Sequence, residues 1–384
     1  MRWNYLLFET KMVLHNRKNW LLGIAILLFF PIYYLQYSQT DIKTLQDQKN
    51  EEAEQFHTIF KAFPEEMRET KEGQEIYDNL TEQSSLINMQ RFYLWDEEEN
   101  DSYITDGLRL NELRLALHEA GNKGIHPNYI VTKEEIHKEV ALLNYYQKHH
   151  VSIVPDPFVA SNYIPAALDT ISGLPFCLIV LLIGSSMLLH DQQNRSLMRG
   201  LPVSFLQKVF SKVGIHLFQL FVFLAVGIGI GSVYVGLKTG WGSFTSPILL
   251  YSGGTFTAVS IVHYVLLQLL SFLLISLLLL VTTILVSGLT KNMYATVLSI
   301  VFLLLLPSLL LSAGIDASWL HPLVMIDIGS VLSGEAALKF TSTSMDYRRA
   351  LSWFVGLTLV VLATLYMKTR LQYTSHPSGH DKPN

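Results

Sequence analysis

Long apolar runs separated by short basic stretches make up most of the chain, and one polar stretch, residues 38–160, interrupts them near the start. A bilayer core takes about 20 mostly apolar helical residues per crossing, because backbone groups left unpaired in hydrocarbon are costly. Six runs satisfy this: 20–37, 167–189, 213–237, 259–287, 294–312 and 351–367. The first has the basic flank of a secretory leader, but "YYLQYSQT" offers no small-x-small cleavage pattern, so a retained anchor is expected. Ahead of it, "MRWNYLLFETKMVLHNRKNW" sets Trp3, Leu6, Leu7, Val13 and Leu14 on one helical face and Arg2, Glu9 and Asn16 on the other. That pattern predicts a helix over 1–19 lying in the membrane interface.

Within 38–160 the periods shorten to those of a polar helical domain. "TKEEIHKEVALLNYYQKHH" opens with Thr132 and Glu135 at capping-box spacing, after which Ile136, Val140 and Leu143 share a face. "LRLNELRLALHEAGNKG" predicts a further helix ended by Gly121 or Gly124. "WDEEEND" reads as a solvated loop, and "VPDPF" leads the chain back to the membrane.

The fold class expected is therefore an all-α polytopic membrane protein. It has six transmembrane helices, an N-terminal interfacial helix and a mainly helical extracellular domain between spans 1 and 2. Composition agrees: half of the residues are hydrophobic and 16% charged. Charge then splits the chain, since 38–160 holds 24 acids and 12 Lys or Arg while the remainder holds 8 acids and 16 bases. Cations beside the apolar runs give the orientation. Arg2, Lys11, Arg17 and Lys18, then Arg195, Arg199, Lys208 and Lys212, then Lys291, then Lys368, Arg370 and Lys382 fall on one side, expected to be cytoplasmic. Lys339, Arg348 and Arg349 fall on the other. Segments 190–212 and 368–384, with both termini, are thus expected to be cytoplasmic and 313–350 extracellular, in a multi-pass protein of the cell membrane.

Enzyme chemistry has little to stand on. The chain contains no HExxH, GxSxG or GxxxxGK[ST] motif. Gly227, Gly229 and Gly231 lie inside an apolar run, where small residues let helices approach. His118, His126, His137, His149 and His150 lack ligand spacing, so no metal site is expected, and the single cysteine, Cys177, excludes an intrachain disulfide. Polar groups within the spans, Asp169, His216, Gln219, His263 and Gln268, are the candidates for a substrate path.

Segment 190–212 carries the most specific signal. It is basic and amphipathic, and Leu201-Pro202 breaks it, so that a short helix ends near Gly200 and another begins at Pro202. "LPVSFLQKVFSK" resembles the loop between the second and third spans of ATP-binding-cassette type-2 permeases, in which Leu-Pro-Val/Ile-Ser is followed by a lysine near the third span. Pro202 to Lys212 has that spacing, and Asp191 stands where the family often has an acid. "VSGLTKNMYATVLSI" is similar to the family's turn between the fourth and fifth spans, and "WLHPLVMIDIGSVLSG" to its external segment before the last. "NRSLMRG" departs from the usual Gly-Thr-Leu, and Phe205 and Leu206 stand where bases are common.

The resemblance implies a permease subunit whose loop rests in a groove of a separate ATPase. Two ATPases would serve two permeases, paired as a homodimer or with a paralogue. ATP and Mg would belong to the partner, this chain holding no cofactor and binding no nucleic acid. The implied coupling surface is Asp191, Arg195, Arg199, Leu201, Pro202, Val203, Ser204, Lys208 and Lys212, its cations meeting acids on the partner. Export of a hydrophobic or amphipathic cargo, such as a peptide or an antimicrobial compound, is the expected activity. Two other readings of the same sequence are a membrane sensor with an extracellular receptor domain, and an intramembrane enzyme using Asp169 or the membrane histidines.

Overall fold

Runs this apolar satisfy their backbone only as helix, and the computed structural model, which describes residues 2–40, 42–95, 99–153, 157–187, 203–315 and 317–374, is 78% helical. An N-terminal helix α1 (Arg2–His15) precedes α2 (Arg17–Tyr37). Helices α3 (Leu45–Ala62), α4 (Glu65–Arg68), α5 (Lys71–Tyr93), α6 (Asn100–Glu119) and α7 (Lys133–His149) fill the polar stretch. Then come α8 (Ala160–Ile171), α9 (Leu174–Ser185) and α10 (Phe205–Thr239), a hairpin of β1 (Pro247–Ser252) and β2 (Thr255–Ser260), α11 (Ile261–Thr290) and α12 (Met293–Ser312). Short helices α13 (His321–Val324), α14 (Ile328–Leu332) and α15 (Glu335–Lys339) lead into α16 (Tyr347–Thr374).

Among the described residues five helices are long and apolar enough to cross a membrane: α2, α10, α11, α12 and the part Tyr347–Lys368 of α16; counting the bent pair α8 and α9 as one makes six. Phe218, Leu298 and Leu359 on these helices are exposed, an arrangement suited to lipid and not to water. The second expected span is not one straight helix. Its halves meet at 63°. Gly173 adopts a left-handed φ of 67°, and Pro175 in the first turn of α9 has no amide hydrogen with which to continue α8. The fourth span also starts later than the apolar run suggests, because residues 259–260 belong to β2 and pair with Ile248 and Pro247.

By contacts the chain forms two compact units: residues 1–34, 166–234 and 266–384, and residues 35–165 and 235–265. In the first, glycines set how closely helices approach. A Cβ on Gly227 would lie 2.8 Å from the ring of Phe30, itself 1% exposed, whereas one on Gly229 would meet nothing. Stacked rings of Phe176 and Phe272, 4.3 Å apart, join α9 to α11. Asn292 caps α12 by accepting from the backbone N–H groups of Tyr294 and Ala295, 2.9 and 3.3 Å away, which makes the α11–α12 turn tight.

The second unit is the acidic domain. Phe56, Ile59, Phe63, Ile76, Leu80, Ile87, Leu110 and Leu117 form its apolar core. Thr132 caps α7 with the expected capping box: the Glu135 N–H donates to Thr132 Oγ1 (3.2 Å) and the Thr132 N–H to Glu135 Oε2 (2.9 Å). Ile136 and Leu143 are buried and Val140 half-buried; α6 begins earlier than expected, at Asn100, and ends one residue before Ala120 and the left-handed Gly121. Of "WDEEEND", residues 96–98 lie outside the described residues and Trp95 is exposed. The hairpin is the departure from an all-α fold. Gly253 and Gly254, with φ of 62° and 86°, supply its two-residue turn, and the Lys138 ammonium sits 4.3 Å over the Phe256 ring.

Three helices of this domain meet at a closed set of charges. Lys49 Nζ lies 2.9 Å from Glu139 and 3.2 Å from Glu52, while Arg114 reaches both carboxylates at 2.9 Å. Both cations are almost wholly buried. Burial alone would raise the Glu139 carboxyl, but Lys49 and Arg114 overcome it and hold it at about 2. Tyr103 beside it is pushed well above the usual phenol value, by burial first and then by Glu139 and Glu52.

Two expectations follow. Gly227→Val should destabilise the protein by about 1–3 kcal/mol through overpacking against Phe30, while Gly229→Ala should be neutral or slightly stabilising, as read by thermal unfolding in detergent. Because Glu139 is held below its ordinary 4.5, its contribution is whole above about pH 4.5 and fades as the pH falls towards 2. Acid titration followed by circular dichroism should show this loss, and Glu139→Gln should flatten it.

Candidate functional site

The basic segment is best located by its two ends. Asp191, Arg195, Arg199, Leu201 and Pro202 lie outside the described residues; Val203, Ser204, Lys208 and Lys212 lie within them. Ser204 starts α10 with a further capping box, donating its N–H to Gln207 Oε1 (3.3 Å) and accepting from the Gln207 N–H at Oγ (3.4 Å). Val203 and Lys208 are half-buried and Ser204 is exposed. Lys212, one turn beyond Lys208, points inward.

Lys212 finds its acid within the chain. Its Nζ lies 2.9 Å from Glu9 Oε1 and 3.1 Å from Oε2, and both side chains are 3% exposed. The Tyr5 hydroxyl donates a third hydrogen bond to the same carboxylate at 2.5 Å. Charges this deep are tolerated only when paired and hydrogen-bonded on all sides. Tyr5, Glu9 and Val13, at i, i+4 and i+8, thus form the inward face of α1, while Leu7, Phe8 and Leu14 are exposed. This corrects the sequence-based faces, which set Glu9 outward and Val13 with Leu7 and Leu14. An ion pair can turn a helix about its axis in a way that hydropathy does not register.

Next along α10, His216 Nδ1 is 2.8 Å from the Lys212 carbonyl oxygen, and Gln219 Oε1 accepts from Asn19 Nδ2 at 3.4 Å. All three side chains are buried. Among the described residues, Asn19 Oδ1 and Gln219 Nε2 have no partner. The other end of the basic segment is held from the same side. Lys18 donates to the Leu182 carbonyl at 2.5 Å and reaches Ser185 Oγ at 3.5 Å, a cation on the last turn of α9.

No family model, no curated protein and no solved structure matches this chain.

The five polar candidates for a substrate path fall in three places. His216 and Gln219 belong to the buried seam with Glu9 and Lys212. Asp169 and Gln268 form a pair, Gln268 Nε2 donating to Asp169 Oδ1 at 2.6 Å. His263 is exposed near the start of α11, its N–H donating to Ser260 Oγ at 3.2 Å. Among the described residues no three His, Cys, Asp or Glu side chains gather as a metal site would require. The residues sequence reasoning passed over are Tyr5, Glu9, Lys18 and Asn19, and the four-residue spacing of Tyr5, Glu9 and Val13 was the signal available.

Removing one partner of the Glu9–Lys212 pair strands a buried charge. Glu9→Ala should cost about 3–5 kcal/mol of stability, and Glu9→Leu with Lys212→Leu should recover most of it. Thermal unfolding of both variants in detergent measures the difference; equal losses would mean that the pair is not buried as described.

Proposed function

We propose that this chain is the membrane-spanning permease subunit of an ATP-binding-cassette exporter, driven by a separate ATPase. The reading starts from segment 190–212 with its Pro202-to-Lys212 spacing. One observation carries it furthest: both helices flanking that segment are fixed to the N-terminal pair, α9 through Lys18 and α10 through Glu9. A load applied between residues 187 and 203 acts on α9 and α10, and these two polar contacts pass it to α1 and α2. Such an arrangement suits a chain that has no phosphate-binding loop and receives its energy from a partner.

In this reading the cations beside the spans keep 190–212 and both termini in the cytoplasm, and the acidic unit faces outward. Two permeases, identical or paralogous, work with two ATPases that carry ATP and Mg. The proposed coupling surface sets Arg195, Arg199 and Lys208 against acids on the ATPase, with Leu201 and Val203 as apolar anchors and Asp191, Pro202 and Ser204 completing it. Lys212 holds the lever to α1. Apolar spans with few fixed charges favour a hydrophobic or amphipathic cargo, such as a peptide or antimicrobial compound.

Affinity purification in mild detergent should recover an ATPase subunit with this chain. Pro202→Ala combined with Lys208→Glu should leave the protein in the membrane and the ATPase turning over, while cargo export falls about tenfold or more. Unchanged export in that variant removes the coupling role, and a kinase recovered in place of an ATPase favours the sensor.

A further inference from the structure

Beside the break between α8 and α9 lies a cavity of about 270 Å³. Leu304 and Leu305 of α12 and Leu323 and Val324 of α13 make its walls apolar. Its rim is charged, with Asp327, Glu335 and Lys339 all lining it. These charges do not neutralise one another. Glu335 and Lys339 stand one helical turn apart on α15, yet the ammonium lies 5.8 Å from the Phe340 ring centroid and makes no ion pair with Glu335 among the described residues. The Asp327 carboxylate is met by the Ser172 hydroxyl at 3.2 Å and, among the described residues, by no cation.

The backbone itself makes room for Asp327. A Cβ on Gly173 would fall 2.9 Å from the Asp327 carboxyl carbon, so the residue at the helix break must be glycine for the acid to stand there. Two carboxylates against one ammonium leave the rim with surplus negative charge, in a cavity whose walls are apolar at Leu304, Leu305, Leu323 and Val324. A hydrocarbon chain gains by leaving water for such walls, and a cation at its end meets the carboxylates. An anionic head would meet two like charges, and a cation without a chain would leave the walls unused. The volume lies just below the usual range for ligand pockets, which suits one chain and not two.

We propose that this cavity binds a single-chain amphiphile with a cationic head, the head between Asp327 and Glu335 and the chain against Leu304, Leu305 and Leu323. The inference goes beyond the permease reading and needs no ATPase, so either can fail alone.

The test is calorimetric titration of the full chain in phosphatidylcholine nanodiscs, with empty nanodiscs as background and probes kept below their micelle concentrations. Dodecyltrimethylammonium should bind saturably, dodecyl sulfate about tenfold more weakly or worse, and tetramethylammonium not at all. Glu335→Gln, on an exposed side chain, should weaken dodecyltrimethylammonium about three- to fivefold, and Leu305→Trp, which fills the cavity, about tenfold or more. Absent binding, equal binding of dodecyl sulfate, or an affinity undiminished in either variant overturns the proposal.

Discussion

A carboxylate and an ammonium, both almost wholly withdrawn from solvent, hold the N-terminal helix to the start of α10. Most of what is distinctive in the first unit follows from that pair. An amphipathic helix with Leu7, Phe8 and Leu14 facing outward would rest in an interface at any rotation that buries its apolar atoms. Hydrophobic burial is non-directional and sets no register. The Glu9 carboxylate has only a narrow choice of positions, because it must satisfy the Lys212 ammonium and the Tyr5 hydroxyl at once. The charged contact therefore fixes the angle at which α1 meets α10, and apolar packing fills in around it.

Cations near the helix ends serve a similar local purpose. Lys18 lies on the last-turn carbonyl of Leu182, and Lys368 donates to the Gly288 carbonyl at 3.3 Å near the end of α11. Both satisfy acceptors that a helix end leaves open, and both put positive charge at the negative end of the helix dipole. Residues that count towards membrane orientation are thus also structural caps. Buried cations do different work in the acidic unit, where Lys49 and Arg114 tie α3, α6 and α7 together through two shared carboxylates.

Helix content and five of the long apolar helices were legible from periodicity because each satisfies its backbone within itself. The α7 capping box was legible for the same reason: Thr132 and Glu135 need only each other. What escaped depends on other parts of the chain. Tyr251 and Phe256 face each other across the hairpin, and the Gly253-Gly254 signal lay between runs apolar enough to be taken as loop and span. The inward turn of Glu9 needs Lys212, two hundred residues away. The break at Gly173 was hidden because the run 167–189 is apolar enough overall to read as one span, and the Gly-Leu-Pro order marked the end of a helix within it.

That break is built and clamped, which bears on how the helices of the first unit are held. Twelve residues of α9 span about 18 Å, well short of a hydrocarbon core of about 30 Å. The helix is therefore a short strut, capped by Lys18 at its C-terminal end and meeting α8 at its other end. At that junction Ser172 Oγ donates to Asp327 and accepts from the Gly329 N–H at 3.0 Å, so the bend is fastened to α14 by side-chain bonds and not left as a free hinge. A strut held at both ends transmits displacement to its far attachment in place of dissipating it along its length. Motion of the segment after Ser185 would thus be felt at Ser172 and Asp327, where the helix break, the charged rim and the apolar cavity coincide.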